Sequence, residues 1–190
     1  RGAARGESVA VIAPNSRDAL CAFYGAAYGG VRAVMINLAA GRDAIAYALD
    51  HSEARFAYVH PDCADLFAAA GAGIEALPLQ GTGDAVLHAV TPDAHALLMY
   101  TSGTTGRPKG VVHSHASLLA GGWTTAVAHR LGPQDRGFCV LPIYHINGLC
   151  VTVMGSLVSG GSLAMAGRFS ASQFWTQAGT AEVTWFSLVP

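Results

Sequence analysis

The sequence predicts an α/β fold with predominantly parallel sheets covered by helices, and three observations lead to this prediction. Short β-branched runs alternate with longer segments of helical period from residue 9 onward. The connections between these segments are short, which favours parallel strands joined by helices on both faces of a sheet. The composition is 52% hydrophobic and 12% charged over 190 residues. A chain of this kind has enough apolar surface for a real core and is not disordered.

Three strand–helix units fill most of a first α/β segment, residues 1–80. The strands are VAVIA at 9–13, VRAVMI at 31–36 and RFAYVH at 55–60. The helices cover residues 16–30, 41–52 and 61–71, and GIEALPLQ at 73–80 is compatible with a further strand. Ser16 is the candidate N-cap of the first helix, which Gly29 and Gly30 end. Pro61 lies near the start of the third helix.

Residues 81–93 form the most polar interval, and we predict a linker or exposed loop there. A second segment, residues 94–190, continues the alternation of strands and helices. Its predicted strands are HALLMYT, GVVHSH, GFCVLP, SLAMA and EVTWFSLVP. Its helices run from Ser114 towards His129, through the apolar stretch after His145, and over residues 171–179. We predict that Trp123, Trp175 and Trp185 lie in the core or in a pocket wall.

Charge and cysteine usage narrow the class of protein. A net charge of −1 gives no electrostatic basis for binding nucleic acid or an anionic membrane. Residues 146–167 carry no charge and are long enough to cross a bilayer, but glycines divide them into a helix, a turn and a short strand. We therefore predict no membrane span. The four scattered cysteines indicate buried thiols in a reducing compartment, the cytoplasm.

The stretch YTSGTTGRPKG, from Tyr100 to Gly110, follows a buried strand and combines flexible joints with hydrogen-bond donors. Glycines let main-chain N–H groups converge on one point, hydroxyls add donors, and the lysine adds a positive charge. Such a loop suits a polyphosphate. The candidate phosphate-binding residues are Thr101, Ser102, Gly103, Thr104, Thr105, Gly106 and Lys109. The loop is not a Walker A motif, because a strand rather than a helix follows it. Arg107 is expected to face solvent.

Four stretches resemble the adenylate-forming, or AMP-binding, superfamily. YTSGTTGRPKGVVHSH is similar to its phosphate-binding signature, and LPIYHINGL to its second core motif. GESVAVIAPNS resembles the opening of its large domain, and VTWFSLVP a strand leading to its acyl pocket. The superfamily includes acyl-CoA synthetases, firefly luciferase and the adenylation domains of nonribosomal peptide synthetases. The resemblance covers effectively all 190 residues and implies part of the large N-terminal domain of an acyl-CoA synthetase-like fold.

The resemblance implies an ATP-dependent ligase with magnesium as cofactor. It implies activation of a carboxylic acid, fatty or related, to an acyl-adenylate, followed by transfer to coenzyme A. The loop residues and Lys109 would hold the ATP phosphates, with Thr104 nearest Mg²⁺, although Thr101 or Thr105 would serve this chemistry equally well. His145 is the candidate catalytic residue beside the carboxylate; the other interpretation is a packed core histidine. Asn147 and Gly148 would line the same pocket.

The resemblance also implies parts that the sequence lacks. The later Gly-x-Thr-Glu segment, the ribose-binding aspartate and the small C-terminal domain with its catalytic lysine do not occur. We therefore expect residues 1–190 alone not to complete adenylation. Two alternatives stay open, an amino-acid-activating adenylation domain and a non-catalytic nucleotide-binding remnant. The acid, its chain length and the oligomeric state cannot be read from this sequence.

Two further classes of site receive little support. His113 and His115 are expected on one face of a strand, where two imidazoles could hold a metal ion, but no third ligand follows at a suitable spacing. We therefore do not predict a zinc site. A serine hydrolase is excluded because the G-x-S-x-G pattern is absent from the sequence.

Overall fold

The structure is a computed structural model that describes residues 3–71, 73–79, 87–101 and 107–189. The chain divides into two compact units, Arg1–His115 and Ala116–Pro190. The predicted linker at 81–93 is described from residue 87 onward, and residues 87–93 contain neither helix nor strand.

The first unit contains a six-stranded sheet that is parallel except at one edge. Its strands are β1 (Ser8–Ile12), β2 (Arg32–Met35), β3 (Phe56–Val59), β4 (Glu75–Pro78), β5 (His95–Thr101) and β6 (Lys109–Ser114). They lie in the order β4-β3-β1-β2-β5-β6, and only β5 and β6 pair in antiparallel fashion. The connection between β5 and β6 is too short for a parallel crossover, which needs a dozen or more residues. The predicted α/β class with predominantly parallel sheets is confirmed.

The helices of the first unit begin and end close to where the sequence predicts. They are α1 (Arg17–Tyr28), α2 (Arg42–His51) and α3 (Ala64–Ala70), and a 3₁₀ turn at Pro61–Cys63 precedes α3. Ser16 caps α1, because its Oγ accepts a hydrogen bond from the Ala19 N–H at 3.1 Å. Gly29 ends the helix, and Gly30 follows with a φ of +69°, a left-handed conformation that suits glycine.

Helices pack on the sheet of the first unit from two sides. One buried cluster joins Ala10 and Ile12 of β1 and Val34 of β2 to Ile45 and Leu49 of α2. Helix α1 contacts β1 and β2 and buries Ala19, Ala22, Phe23 and Ala26. Successive side chains of a strand point to opposite faces, so Val9 and Val11 lie on the face away from α2. The alternation of buried strands with amphipathic helices thus produces the layered core.

The second unit contains a three-stranded parallel sheet. Its elements are α4 (His115–His129), β7 (Arg136–Cys139), a π-helix (Asn147–Val153), α5 (Met154–Ser159), β8 (Ser162–Met165), α6 (Phe174–Thr180) and β9 (Trp185–Phe186). The strands lie in the order β8-β7-β9. The apolar stretch after His145 divides as predicted into a helical segment, a turn at Gly160 and a strand. Among the described residues, none of the helices has the length and hydropathy required to cross a membrane.

Burial differs from the sequence prediction at three residues, and for the two tryptophans this excludes the core and leaves the pocket wall as the prediction. Trp123 is 63% exposed and Trp175 is 72% exposed, so neither lies in the core of its unit. Trp123 lies outside the buried stripe of α4, which contains Leu118, Gly122 and Ala126. The prediction that all four thiols are buried fails at Cys21, which is exposed. It lies on the outer face of α1, four residues from Arg17 and Gly25, which are also exposed.

The unequal burial of the thiols predicts unequal alkylation. Cys21 is exposed, whereas Cys63 and Cys139 are buried. Burial raises the pKa of both Cys63 and Cys139, the latter to about 12, which suppresses the reactive thiolate. A short treatment of the folded protein with iodoacetamide should modify Cys21 first, as measured by peptide mass spectrometry. Equal labelling of Cys21 and Cys139 without prior unfolding would contradict this placement.

Candidate functional site

The antiparallel pair β5–β6 holds the two ends of the glycine-rich stretch opposite each other. Thr101 pairs with Lys109, and Tyr100 pairs with Gly110. Thr101 and Lys109 are both exposed. Lys109 is the first residue of β6, one position earlier than the sequence predicts for this strand. Ser102, Gly103, Thr104, Thr105 and Gly106 lie outside the described residues. The described ends therefore bring one hydroxyl and one ammonium group to the same end of a hairpin.

An aromatic cluster fixes Tyr100, the first residue of this stretch. The Tyr100 hydroxyl lies 2.9 Å from Nδ1 of His51, at the end of α2. Tyr47 lies edge-on to Tyr100 with 6.5 Å between ring centroids, and it stacks on His51 at 5.3 Å. Sequence reasoning missed this contact, because His51 and Tyr100 are 49 residues apart and the stretch that begins at Tyr100 gives no sign of a partner in α2. The cluster ties the start of the stretch to α2.

Tyr100 should make stability sensitive to alkaline pH. Burial, and then Tyr47, raises the pKa of Tyr100 to about 12, while Arg32 opposes the shift. In the unfolded chain the phenol titrates at about pH 10. The stabilisation that the folded state gains from the neutral phenol is therefore complete below that pH, and it is lost as pH rises towards about 12. Tyr100→Phe should therefore lose less stability than the unsubstituted protein between about pH 10 and about pH 12, measured by urea unfolding. Identical losses in the two proteins would contradict this role.

An open pocket adjoins the same end of the hairpin. Its volume is about 370 Å³, and its walls come from α2, the segment after β2 and the hairpin. The lining residues are Ile36, Asn37, Ala39, Ala40, Ala44, Ile45, Ala48, Tyr100, Thr101 and Pro108. Thr101 thus borders a cavity rather than packed interior. A hydroxyl and a nearby cation at the mouth of a pocket suit an anionic ligand.

His145 lies in a turn that leads into the π-helix of the second unit. Its backbone N–H donates to the Pro142 carbonyl at 3.0 Å, and its own carbonyl accepts from the Leu149 N–H at 3.0 Å. The His145 side chain is exposed, which contradicts the interpretation of a packed core histidine. The imidazole is therefore available to a ligand. π-helical turns of this kind are rare and occur frequently at functional sites.

Gly148 allows this turn to close. It is buried, and a Cβ added to it would lie 2.4 Å from the Pro142 carbonyl oxygen and 2.8 Å from that of Leu141. The Cys139 thiol supports the same turn, since it lies 3.4 Å from the Leu141 oxygen and 3.8 Å from the Gly148 oxygen. Burial raises the pKa of this thiol to about 12, so it stays a proton donor.

Asn147 is positioned from a distant part of the chain. The Ser187 hydroxyl donates to Oδ1 of Asn147 at 2.9 Å, and both side chains are half-buried. Ser187 directly follows β9 and lies within the stretch VTWFSLVP. No single residue of that stretch was predicted to act, because the sequence gives no sign of the 40-residue contact.

The predicted site residues thus form two groups, each within its own unit. Thr101 and Lys109 face each other across the hairpin of the first unit. His145, Asn147 and Gly148 follow one another in the second unit, at the start of the π-helix. His113 lies in β6, but His115 begins α4, so the expectation of two imidazoles on one strand face was wrong. Over the part of the chain that the structure describes, His, Cys, Asp and Glu form no group of three that could hold a metal ion.

Solved structures share this architecture. The inhibitor-bound N-terminal domain of FACL13 from Mycobacterium tuberculosis matches with a TM-score of 0.89 and 28% identity, over 100% of this chain and 51% of that one. O-succinylbenzoate coenzyme A synthetase from Bacillus subtilis, in complex with ATP and a magnesium ion, matches with a TM-score of 0.86 and 25% identity. That match covers 97% of this chain and 40% of the other. The predicted acyl-CoA synthetase-like fold is confirmed.

Sequence comparison gives the family. The family described as AMP-binding enzyme matches residues 1–190, and the chain belongs to it. The chain is 39% identical to a sulfoacetate–CoA ligase of Cupriavidus necator, over 100% of this chain and 40% of that protein. It is 32% identical to the long-chain-fatty-acid–CoA ligase FadD13 of M. tuberculosis, over 92% of this chain and 38% of that protein. The chain spans about 40% of the length of these curated relatives.

Proposed function

We propose that the polypeptide carrying this sequence is an ATP-dependent acid–CoA ligase. The observation that carries the proposal is the β5–β6 hairpin, which holds Thr101 and Lys109 opposite each other beside an open pocket. Membership of the AMP-binding enzyme family and the CoA ligase names of the relatives support the same activity. These names favour coenzyme A as the acceptor over the amino-acid-activating and non-catalytic alternatives.

The proposed reaction has two displacement steps. A carboxylate oxygen of the acid attacks the α-phosphorus of ATP, the bond to the bridging oxygen breaks, and pyrophosphate leaves. The sulfur of coenzyme A then attacks the acyl carbon, loses its proton, and AMP leaves with the carboxylate oxygen. Negative charge builds on the pyrophosphate in the first step, and fixed donors stabilise it. We assign this role to Thr101, Lys109 and the residues between them, and we assign His145 to the carboxylate.

Magnesium fits this donor set as an ion that arrives with the nucleotide. Mg²⁺ prefers oxygen ligands and is commonly held by substrate phosphates with one or two protein groups. Thr104 is our proposed hydroxyl near the ion, and Thr101 would serve the same purpose. The bound ion would neutralise charge on the phosphates. The complex of the B. subtilis synthetase with ATP and a magnesium ion supports magnesium as the ion that accompanies the nucleotide.

The curated relatives are named for different acid substrates. FadD13 is named for long-chain fatty acids, which supports our prediction of a fatty acid, whereas the C. necator relative is named for sulfoacetate, a short acid with a second acidic group. The acid class therefore depends on the pocket residues of this chain. A reducing compartment, the cytoplasm, suits its four free cysteines.

Pyrophosphate exchange tests the proposed function. The natural polypeptide that contains residues 1–190 is incubated with ATP, Mg²⁺, labelled pyrophosphate and a panel of acids. We expect label to enter ATP only when a suitable acid is present, because exchange requires a reversible acyl-adenylate. Residues 1–190 alone, tested in parallel, are expected to give no exchange. Absence of acid-dependent exchange in the natural polypeptide across fatty, dicarboxylic and sulfonated acids would overturn the proposal.

A further inference from the structure

Asn147 and Ser187 lie beyond the same edge of the second sheet. Strands β7 and β9 are parallel and paired, with Phe138 opposite Phe186, so their carboxyl ends share one edge. Ser187 is the next residue after β9, and the segment after β7 leads through His145 to Asn147. Ligands of α/β proteins bind beyond this edge of a sheet. The pair thus lies at the edge where ligands of such folds bind, next in the chain to His145, which we assign to the carboxylate of the acid.

The hydrogen bond between Ser187 and Asn147 orients the Asn147 carboxamide. Ser187 Oγ donates to Oδ1 of Asn147, which leaves the two N–H donors of Nδ2 turned away from Ser187. Over the described residues, Ser187 is the one side chain that hydrogen-bonds this carboxamide. Because the hydroxyl occupies Oδ1, the Nδ2 amide group is the part of Asn147 that is left for a ligand. Asn147 therefore presents donors.

The surroundings make these donors selective. The residues that follow Asn147, Gly148 and Leu149, are buried, and Asn147 itself is half-buried. Leu188 and Val189, which follow Ser187, are apolar and exposed. An apolar group set against half-buried N–H donors leaves them without an acceptor, and a site built around such donors rejects a substrate that lacks the matching acceptor.

We propose that Asn147 selects acids whose far end carries a hydrogen-bond acceptor, a second carboxylate or a sulfonate, and that Ser187 positions Asn147 for this purpose. The inference rests on the acid–CoA ligase function proposed above. It assigns the short, doubly acidic class of substrate to this chain in preference to fatty acids. Ser187 acts through Asn147 and is a positioning residue.

Isosteric acids test this assignment in the natural polypeptide. Sulfoacetate is compared with 3,3-dimethylbutanoate, and malonate with 3-methylbutanoate, because each pair shares its shape but differs in the acceptor. The readout is kcat/KM for pyrophosphate exchange with each acid. We expect the acidic member of at least one pair to be favoured by about tenfold or more.

Substitutions of Asn147 and Ser187 distinguish the proposed roles of these residues from a general loss of folding. Asn147→Leu should remove most of the preference, which is the ratio of kcat/KM between the acidic member of a pair and its apolar isostere. Misfolding does not produce this change, because it lowers both kcat/KM values together and leaves their ratio as it was. Ser187→Ala should reduce the preference about threefold, the loss of one neutral hydrogen bond, and Ser187→Thr should keep it. Even where a variant fails to fold, a preference of the unsubstituted protein for the apolar isosteres overturns the inference.

Each outcome has one meaning. Preference for the apolar isosteres or for fatty acids, with acid-dependent exchange intact, overturns this inference and leaves the proposed function standing. An acidic preference that survives Asn147→Leu in a folded protein also overturns it. Absence of exchange with every acid overturns the proposed function and this inference together.

Discussion

Lys109→Ala should weaken ATP binding by about 10- to 100-fold. The exposed ammonium group lies at the start of β6, opposite Thr101, and we assign it to the phosphates of ATP. A hydrogen bond to a charged group contributes about 1.5–3 kcal/mol, and about 1.4 kcal/mol corresponds to a factor of ten in the dissociation constant. Isothermal titration of the natural polypeptide with ATP and Mg²⁺ measures the change.

Arg107→Ala is the matched control for Lys109→Ala. It removes the same unit of charge from the same stretch, and Arg107 is also exposed. We expect it to change ATP affinity by less than about threefold, because a solvent-facing charge near a site contributes little at physiological salt. Equal losses in the two variants would show a general electrostatic effect and contradict the assignment of Lys109 to the phosphates.

Gly148→Ala should be the most damaging single-methyl change at the candidate site. The new Cβ would lie 2.4 Å from the Pro142 carbonyl oxygen and 2.8 Å from that of Leu141, both backbone atoms that cannot move independently. Overpacking of this kind costs about 1–3 kcal/mol, and displacement of the turn would also move His145 and Asn147. Urea unfolding of the natural polypeptide measures the stability loss, and pyrophosphate exchange measures the accompanying loss of activity.

Gly179→Ala supplies the control for Gly148→Ala. Gly179 lies in α6, and a Cβ added there would meet no atom within 4 Å. Alanine favours a helix by about 1 kcal/mol relative to glycine, so this variant should be as stable as the unsubstituted protein or more stable. A Gly148→Ala protein with unchanged unfolding and unchanged activity would show that the turn is not closely packed.

The elements of the fold were predictable because their signals are local. Ser16 and Gly29 delimit α1 through a capping hydroxyl and a glycine stop, and both act within a few residues of the chain. Gly160 marks the turn that divides the long apolar stretch into a helix and a strand. The antiparallel direction of β6 follows from the length of its connection to β5.

The contacts that shape the candidate site depend on distant pairs. His51 meets Tyr100 across 49 residues, and Ser187 meets Asn147 across 40. The local sequence around His51 or Ser187 does not indicate a distant contact. Sequence reasoning therefore found the motif residues Tyr100 and Asn147 but missed the two side chains that hydrogen-bond to them. The predictions of burial for Trp123 and Cys21 failed for another reason. They were based on residue type alone, whereas the periodicity of α4 and α1 places both side chains on an outward face.

Oxygen transfer from the acid to AMP tests the central claim most directly. The natural polypeptide is supplied with ATP, Mg²⁺, coenzyme A and an acid labelled with ¹⁸O in its carboxylate, and the nucleotide product is analysed by mass spectrometry. Attack of the carboxylate on the α-phosphorus predicts AMP that carries one ¹⁸O atom, with unlabelled pyrophosphate. Acyl-CoA formation with unlabelled AMP, or with label in inorganic phosphate and ADP as the nucleotide product, would contradict activation through an acyl-adenylate.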